Sequence, residues 1–353
     1  MNEIVAPVGD PRRAARAIDA LRRGWAIRLK GTGGLLVLTA IEAAASFSGV
    51  SGLLLSSSRA ATLKLANQRA AADTALPVML AAPSDLDLSL ALAIADPTLD
   101  LAYPMKGPFA ALLLADGQAA LAAMELARLA GLLPAFLVHE GNDDAIDVTL
   151  DDVAAFTDSA RLHIAARARL PIAANANAEV IAFRSDADAS DHIALVIGQR
   201  DQSPPVVRLH SECLTGDVLG SLKCDCGPQL HEALHRISGS GWGILLYLRQ
   251  EGRGIGLINK LRAYALQDQG YDTVDANIRL GFAIDARDFA VAARMLELLG
   301  VSKVKLLTNN LDKVKGLENE GLSVVERLPL QIAANPHNAA YLDTKRDRTG
   351  HKL

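Results

Sequence analysis

The chain has 353 residues, half of them hydrophobic, with 22% charged, only 4% aromatic and a formal net charge of −4. That is enough apolar material for two domains with mostly aliphatic cores, and the balance of charge argues against a polybasic partner for nucleic acid or membrane surfaces. The longest apolar region, 109–138, is broken by Asp116, Glu125 and Arg128, so it reads as buried soluble structure and not as a membrane span.

The opening MNEIVAPVGDPRRAARAI carries an early acid and no apolar run with a cleavage site, which predicts a cytoplasmic protein without a signal peptide. Between residues 10 and 160, helical patterns alternate with short apolar runs. The pattern predicts a helix over 11–23, strands at 25–29, 34–38, 53–55 and 112–114, a helix over 118–132 with Gly131 near its end, and a strand over 135–139. This is an α/β pattern. The region has no cysteine, and His139 is its one histidine before His163.

Residues 160–205 form a transition rich in Ala, Asn, Asp and Ser, in which 180–183 and 192–197 are suited to pair as antiparallel strands. A domain boundary near 165 divides the chain into 1–165 and 166–353. Beyond it the pattern predicts a strand over 206–210, then a helix over 229–237 with Leu230, Leu234 and Ile237 on one face. A buried strand follows over 243–248, then a helix over 257–267 stopped by Gly270 and a helix over 286–299 before Gly300. Last come a strand over 304–307, the polar turn Thr308, Asn309, Asn310, and a helix from about Lys313.

All three cysteines lie in HSECLTGDVLGSLKCDCGPQLHEALH, which runs from His210 to His235. An odd number so closely spaced suits a metal better than a disulfide framework. In an extended segment Cys224 and Cys226 would point the same way, with Asp225 opposite. Three thiolates suit zinc, and three protein ligands leave a fourth position for water, as in catalytic zinc sites. A fourth ligand from His210, His231 or His235 would make the site structural instead. HEALH offers a rival: His231 and His235 share a helical face and Glu232 stands ready as a base, as in zinc proteases. No third histidine follows at the needed spacing, and two histidines on the wet edge of an amphipathic helix are the better explanation of the match.

Downstream, Glu251, Gly252 and Arg253 occupy a loop after a strand, where α/β proteins bind ligands. Arg253 suits a phosphate and Glu251 the polar edge of a base, although Arg249 and Glu251 also read as a surface ion pair. Asp285 fits a helix N-cap with Asp288 as its box partner. Thr308 to Lys313 reads as a strand end meeting a helix N-terminus, favourable to anions.

Taken together, RLHSECLTGDVLGSLKCDCG, LRQEGRGIGLINKLRAYALQDQGYDT, ANIRLGFAIDARDF and LLTNN resemble GTP cyclohydrolase II, in order over 206–330. Weaker similarity extends from about 166 to NPHNAAYLDTKRDRTGH. The resemblance implies a mixed α/β domain that opens the imidazole ring of GTP, releasing formate and pyrophosphate. The product would be 2,5-diamino-6-ribosylamino-4(3H)-pyrimidinone 5′-phosphate, the first intermediate of riboflavin synthesis. It implies one zinc per subunit on Cys213, Cys224 and Cys226, magnesium with the triphosphate, and a homodimer. Asp285 matches the proton acceptor and Arg287 the proposed nucleophile at the α-phosphate. Tyr264 matches a tyrosine linked to completing hydrolysis. GTP contacts match Arg208, Leu209, His210, Ser211, Glu212, Gln229, Glu251, Gly252, Arg253, Thr273, Thr308 and Lys313. Arginine is almost always protonated, so electrostatic stabilisation is the physically easier role for Arg287.

The stretch QAALAAMELARLAGLLPAFLVHEG resembles the end of 3,4-dihydroxy-2-butanone 4-phosphate synthase, the usual fusion partner. Where that family carries an acidic motif and a G-H-T-E-A motif, this chain reads LKGTGGLLVL and DGQAALA, leaving Glu140 as a relic. Sugar-phosphate rearrangement on magnesium needs those carboxylates, so the first domain is expected to be inactive as a synthase and to serve a structural or dimerising role. The alternatives are a paralogue acting on another nucleotide, an HExxH metalloprotease, and a binding protein without catalysis.

Overall fold

The computed structural model describes residues 9–188, 190–350 and 352. Two compact units emerge: Met1–Asp158 with Ile255–Ala286, and Ser159–Gly254 with Arg287–Leu353. This departs from a single break near 165, because Ile255–Ala286 leaves the second half and packs with the first.

The first unit is built on strands β1 (Ile27–Lys30), β2 (Leu35–Ala40), β3 (Val50–Leu55), β4 (Val78–Ala81), β5 (Ala111–Leu112), β6 (Ala135–His139) and β7 (Ile146–Thr149). They form one sheet in the order β5-β4-β3-β6-β2-β1-β7, antiparallel except for the β1–β7 pair. Side chains alternate between its faces: Phe136 and Val138 enter one core, Ala135 and Leu137 the other. The helices Pro11–Arg22 and Gly117–Ala130 cover the first face. Asp10 and Asp116 cap them by accepting backbone N–H groups, and Gly131, at φ 72°, closes the second in the left-handed conformation. The other face is covered by the helices Leu88–Ala95, Gly256–Asp268 and Thr273–Arg279. There Ala263, Leu266, Ala276, Leu280 and Phe282 bury against Leu53, Leu55, Leu80, Ile94 and Leu137. Each large apolar side chain so buried is worth about 1.5–3 kcal/mol. Arg262 adds charge pairing at 3.0 Å to both Glu42 and Asp96.

The second unit holds β8 (Leu162–Arg169), β9 (Ala178–Ser185), β10 (His192–Gly198), β11 (Val206–Ser211), β12 (Trp242–Leu248), β13 (Lys303–Leu307) and β14 (Ser323–Leu328). The order is β14-β13-β11-β12-β10-β9-β8. The hairpins of β8, β9 and β10 and the β10–β12 pair are antiparallel, while β12, β11, β13 and β14 run parallel. The helices Phe289–Leu298 and Leu311–Asn319 pack on one face, Cys226–Gly239 on the other. From β11 the chain passes to β12 on one side, whereas β13 lies on the other side and leads outward to β14. Such a reversal opens a crevice at the carboxyl ends of the strands, where open α/β sheets bind ligands. Val207 and Leu209 point into one core, which puts Arg208 and His210 on the face shared with Val206 and the helix Cys226–Gly239.

The antiparallel partnership expected in the transition is present, with His192 opposite Phe183; β8 joins it at the sheet edge. The expected cap at Asp285 is not made. The helix begins at Phe289, and Asp288 caps it by accepting the Ala290 N–H. Among the described residues no helix is long and apolar enough to cross a membrane.

Candidate active site

β11 delivers the chain to Cys213, which starts the π-helical turn Leu214–Val218. The Sγ atoms of Cys213, Cys224 and Cys226 all lie within 4.8 Å of one another, and Cys213 and Cys224 are 3.7 Å apart. None of the three is in a disulfide. Thiolates on one tetrahedral zinc, each bonded at about 2.3 Å, stand about 3.8 Å apart, so the set fits that ion. Gly216 makes the approach possible: a Cβ there would fall 2.8 Å from Cys224 Sγ and 3.0 Å from Cys213 Sγ. Hydrogen bonding to Cys213 and burial hold Cys226 well above the usual thiol range and also raise Cys224. A divalent cation would reverse that preference by stabilising the thiolates.

The C-x-C segment is not extended as its spacing suggests. Cys226 opens the helix Cys226–Gly239 and Asp225 precedes it at φ −105°, ψ 11°. Asp225, 1% exposed, accepts from Gln229 Nε2 at 2.5 Å and from Lys345 Nζ at 2.7 Å.

A second buried carboxylate organises the other side. Asp217 accepts from His210 Nε2 at 3.0 Å, Tyr247 OH at 2.9 Å and the Cys213 N–H at 3.1 Å. The rings of His210 and Tyr247 stack with centroids 5.6 Å apart, as their facing positions on β11 and β12 allow. Burial lowers the His210 pKa, with Asp217 opposing. A neutral imidazole donating through Nε2 leaves Nδ1 as an acceptor, and Nδ1 is buried without a hydrogen bond. Tyr247 is raised by burial and by Asp217.

Arg208 donates to Leu307 O at 3.1 Å and to Gln229 Oε1 at 2.5 Å. Burial pushes it down to about 10, with Arg287 acting in the same direction and Asp225 against it. Lys313, in the first turn of Leu311–Asn319, reaches back to Leu209 O at 2.8 Å. Leu209 itself is a core residue. Thr308 Oγ1 accepts the Asn310 N–H, and Asn310 caps that helix. Ser211 Oγ, Gln250 Oε1 and Arg208 Nε are buried without hydrogen bonds, like His210 Nδ1. Four unsatisfied polar atoms at the carboxyl ends of β11 and β12 are what a site awaiting a polar ligand presents.

Glu251 Oε2 accepts the Leu214 N–H at 2.7 Å, tying this loop to the cysteine turn. Gly252 and Arg253 both sit near φ 62°, a left-handed conformation that is strained for arginine. Arg249 pairs with Glu212 at 2.8 Å and not with Glu251. Arg287 lies 5.8 Å from the Phe289 ring centre. Tyr264, Thr273 and Asp285 are on Ile255–Ala286, in the first unit. There Lys260 Nζ stands 5.8 Å from the Tyr264 ring centre, and Thr273 Oγ1 accepts from Gln267 at 3.1 Å.

HEALH lies on the helix Cys226–Gly239 with His231 and His235 exposed and Glu232 paired to Arg236 at 2.7 Å. Among the described residues the cysteines are the one group of three or more arranged to hold a metal. Sequence reasoning did not single out Asp217, Tyr247, Gly216 or Lys345. Asp217 had a signal, an acid within the cysteine span; Lys345 had none.

The GTP cyclohydrolase II family model matches residues 163–329. A protein named GTP cyclohydrolase-2 from Azospirillum brasilense is 39% identical over 380 residues, covering 99% of this chain and 96% of that one. The riboflavin biosynthesis protein RibBA of Bacillus subtilis (strain 168) is 56% identical over 177 residues, 50% of this chain and 44% of that protein. GTP cyclohydrolase-2 of Proteus mirabilis is 57% identical over 175 residues, 49% of this chain and 88% of its own. A solved two-domain 3,4-dihydroxy-2-butanone 4-phosphate synthase, RibBX from A. baumannii, superposes with a TM-score of 0.30 at 17% identity over 91% of this chain and 100% of that one, too loosely to carry an argument. With a relative so similar along nearly its whole length, the chain belongs to the GTP cyclohydrolase II family.

Proposed function

We propose that this chain is a zinc-dependent enzyme that converts GTP and water into 2,5-diamino-6-ribosylamino-4(3H)-pyrimidinone 5′-phosphate, formate and pyrophosphate, opening riboflavin synthesis. The observation that carries this reading is the convergence of three cysteine Sγ atoms within 4.8 Å, just beyond the carboxyl end of β11. Cys213, Cys224 and Cys226 would hold the zinc, which would supply Lewis acidity and activate a water near neutral pH. Asp217 fixes the Cys213 backbone and the His210 ring. Arg208, Arg253 and Lys313 contribute positive charge for the triphosphate, which arrives with magnesium, and the motif resemblance assigns Glu251 to the guanine edge. Arg287 stabilises the α-phosphate as a guanidinium. Asp285 as proton acceptor, Tyr264 in completing hydrolysis and Thr273 as a GTP contact rest on the motif resemblance. The enzyme works as a cytoplasmic homodimer.

The first unit serves as scaffold. Asp116 is engaged by the Ala119 and Gly33 N–H groups, and Glu140 is exposed. Neither is part of a metal-binding group among the described residues. Removing residues 1–158 takes away the core partners of Ile255–Ala286, so the truncated chain should lose stability and activity together; full retention of both would refute the scaffold role.

The deciding experiment measures zinc content and formate release from GTP on purified protein. Cys224→Ser should abolish both, while His231→Ala keeps both. Formate release undiminished in metal-free protein would overturn the reading. Inert GTP alongside turnover of another nucleotide would replace it with a paralogue of different substrate.

A further inference from the structure

Asp225 stands between two of the cysteines in sequence, 1% exposed, and its carboxylate accepts from Lys345 Nζ and Gln229 Nε2. Three thiolates and one divalent cation sum to a single negative charge, so with Asp225 the buried centre carries two. Burying that much uncompensated charge is costly. One partner of Asp225 comes from outside the motif that carries the cysteines. Lys345, on the C-terminal helix Ala339–Thr349, is 8% exposed and meets Asp225 Oδ1 at 2.7 Å. Its ammonium also lies 4.3 Å from the Tyr341 ring centre, a favourable place for a cation. Arg208 is the second cation, joined to Asp225 through Gln229. The same C-terminal segment touches the cysteine loop again where Asn335 Nδ2 donates to Leu222 O at 3.3 Å.

We infer that Lys345 is a positioning and charge-compensating residue for the metal centre, through which the C-terminal helix sets the affinity of the cysteines for zinc. This rests on the proposal that the three cysteines bind zinc. Lys345 neutralises Asp225, and the pair fixes the residue that separates Cys224 from Cys226. Without the lysine, a buried carboxylate faces a net negative centre with one cation fewer. Groups that orient metal ligands from outside the ligand set commonly change metal affinity by 10–100-fold.

The test is zinc affinity by chelator competition at constant pH, on the full chain, for wild type, Lys345→Met, Lys345→Arg, and Lys345→Met combined with Asp225→Asn. Thermal unfolding of each metal-free form checks that it folds. Lys345→Met should bind zinc at least about tenfold more weakly. Lys345→Arg should recover most of the loss. The double variant, with both charges removed, should return to within about threefold of wild type, as expected for residues coupled through one interaction. A folded Lys345→Met that binds zinc as tightly as wild type overturns the inference. A double variant no better than Lys345→Met overturns charge compensation as the cause. Wild-type protein that holds no zinc refutes the metal reading itself, and the inference falls with it.

Discussion

Asp217 Oδ2 lies 3.0 Å from His210 Nε2, and both side chains are 3% exposed. The same carboxylate takes the Tyr247 hydroxyl and the Cys213 N–H. Asp217→Ala leaves three buried donors without an acceptor, each costing about 1–3 kcal/mol. Urea denaturation of the metal-free protein should therefore report a loss of about 3 kcal/mol or more. A loss under about 1 kcal/mol would mean that water replaces the carboxylate.

Gly216 lies against all three cysteines: an added Cβ would meet Cys224 Sγ at 2.8 Å, and Cys213 Sγ and Cys226 Cβ at 3.0 Å. Gly216→Ala should spread the thiols and reduce metal content well below that of wild type, with far-UV circular dichroism unchanged. Elemental analysis checks this, and wild-type metal content in the variant would count against the tightness of the turn.

Arg253 holds φ 62° in a loop flanked by glycines. A non-glycine residue there stores about 1–2 kcal/mol. Arg253→Gly should raise the unfolding free energy by about 1 kcal/mol while weakening GTP turnover. If both stability and activity fall, the guanidinium is a structural anchor and the strain is relieved elsewhere.

His192 titrates lower than an ordinary histidine, chiefly because burial disfavours its charged form. Its Nδ1 accepts the Arg249 N–H at 3.1 Å, which also requires the neutral ring. With the folded-state pKa below the ordinary 6.5, the unfolded chain takes up the proton first. The contribution to stability is complete above that value and is lost as pH falls below it. Denaturation midpoints should drop between about pH 7 and pH 5, and less so in His192→Asn. Equal slopes for the two proteins would assign the acid sensitivity to other groups.

What the sequence made legible follows the range of the interactions. β6 and the strand cores of β11 and β12 are short apolar blocks bounded by polar turns, and the structure places them close to where the pattern does. The cysteines were legible because three thiols so close together have few other uses. Asp288 and not Asp285 caps its helix because both offer the same capping chemistry and only the backbone path separates them. Lys345 and Asp225 are 120 positions apart, so no local pattern could join them. The left-handed Arg253 was hidden because arginine gives no sign of that conformation.

The excursion Ile255–Ala286 also sets an order of synthesis. β1 to β7 leave the ribosome before it, yet the face formed by Leu53, Leu55, Leu80 and Leu137 is covered only in part, by the helix Leu88–Ala95, until Leu266, Leu280 and Phe282 arrive. Five strands of the other sheet, β8 to β12, emerge in between. A nascent chain must therefore carry a partly open apolar face for the time it takes to make them, which is the interval when aggregation competes with folding. Mutations in this late-arriving segment should do their harm first in the yield of soluble protein made in the cell, before any defect is seen in the finished enzyme.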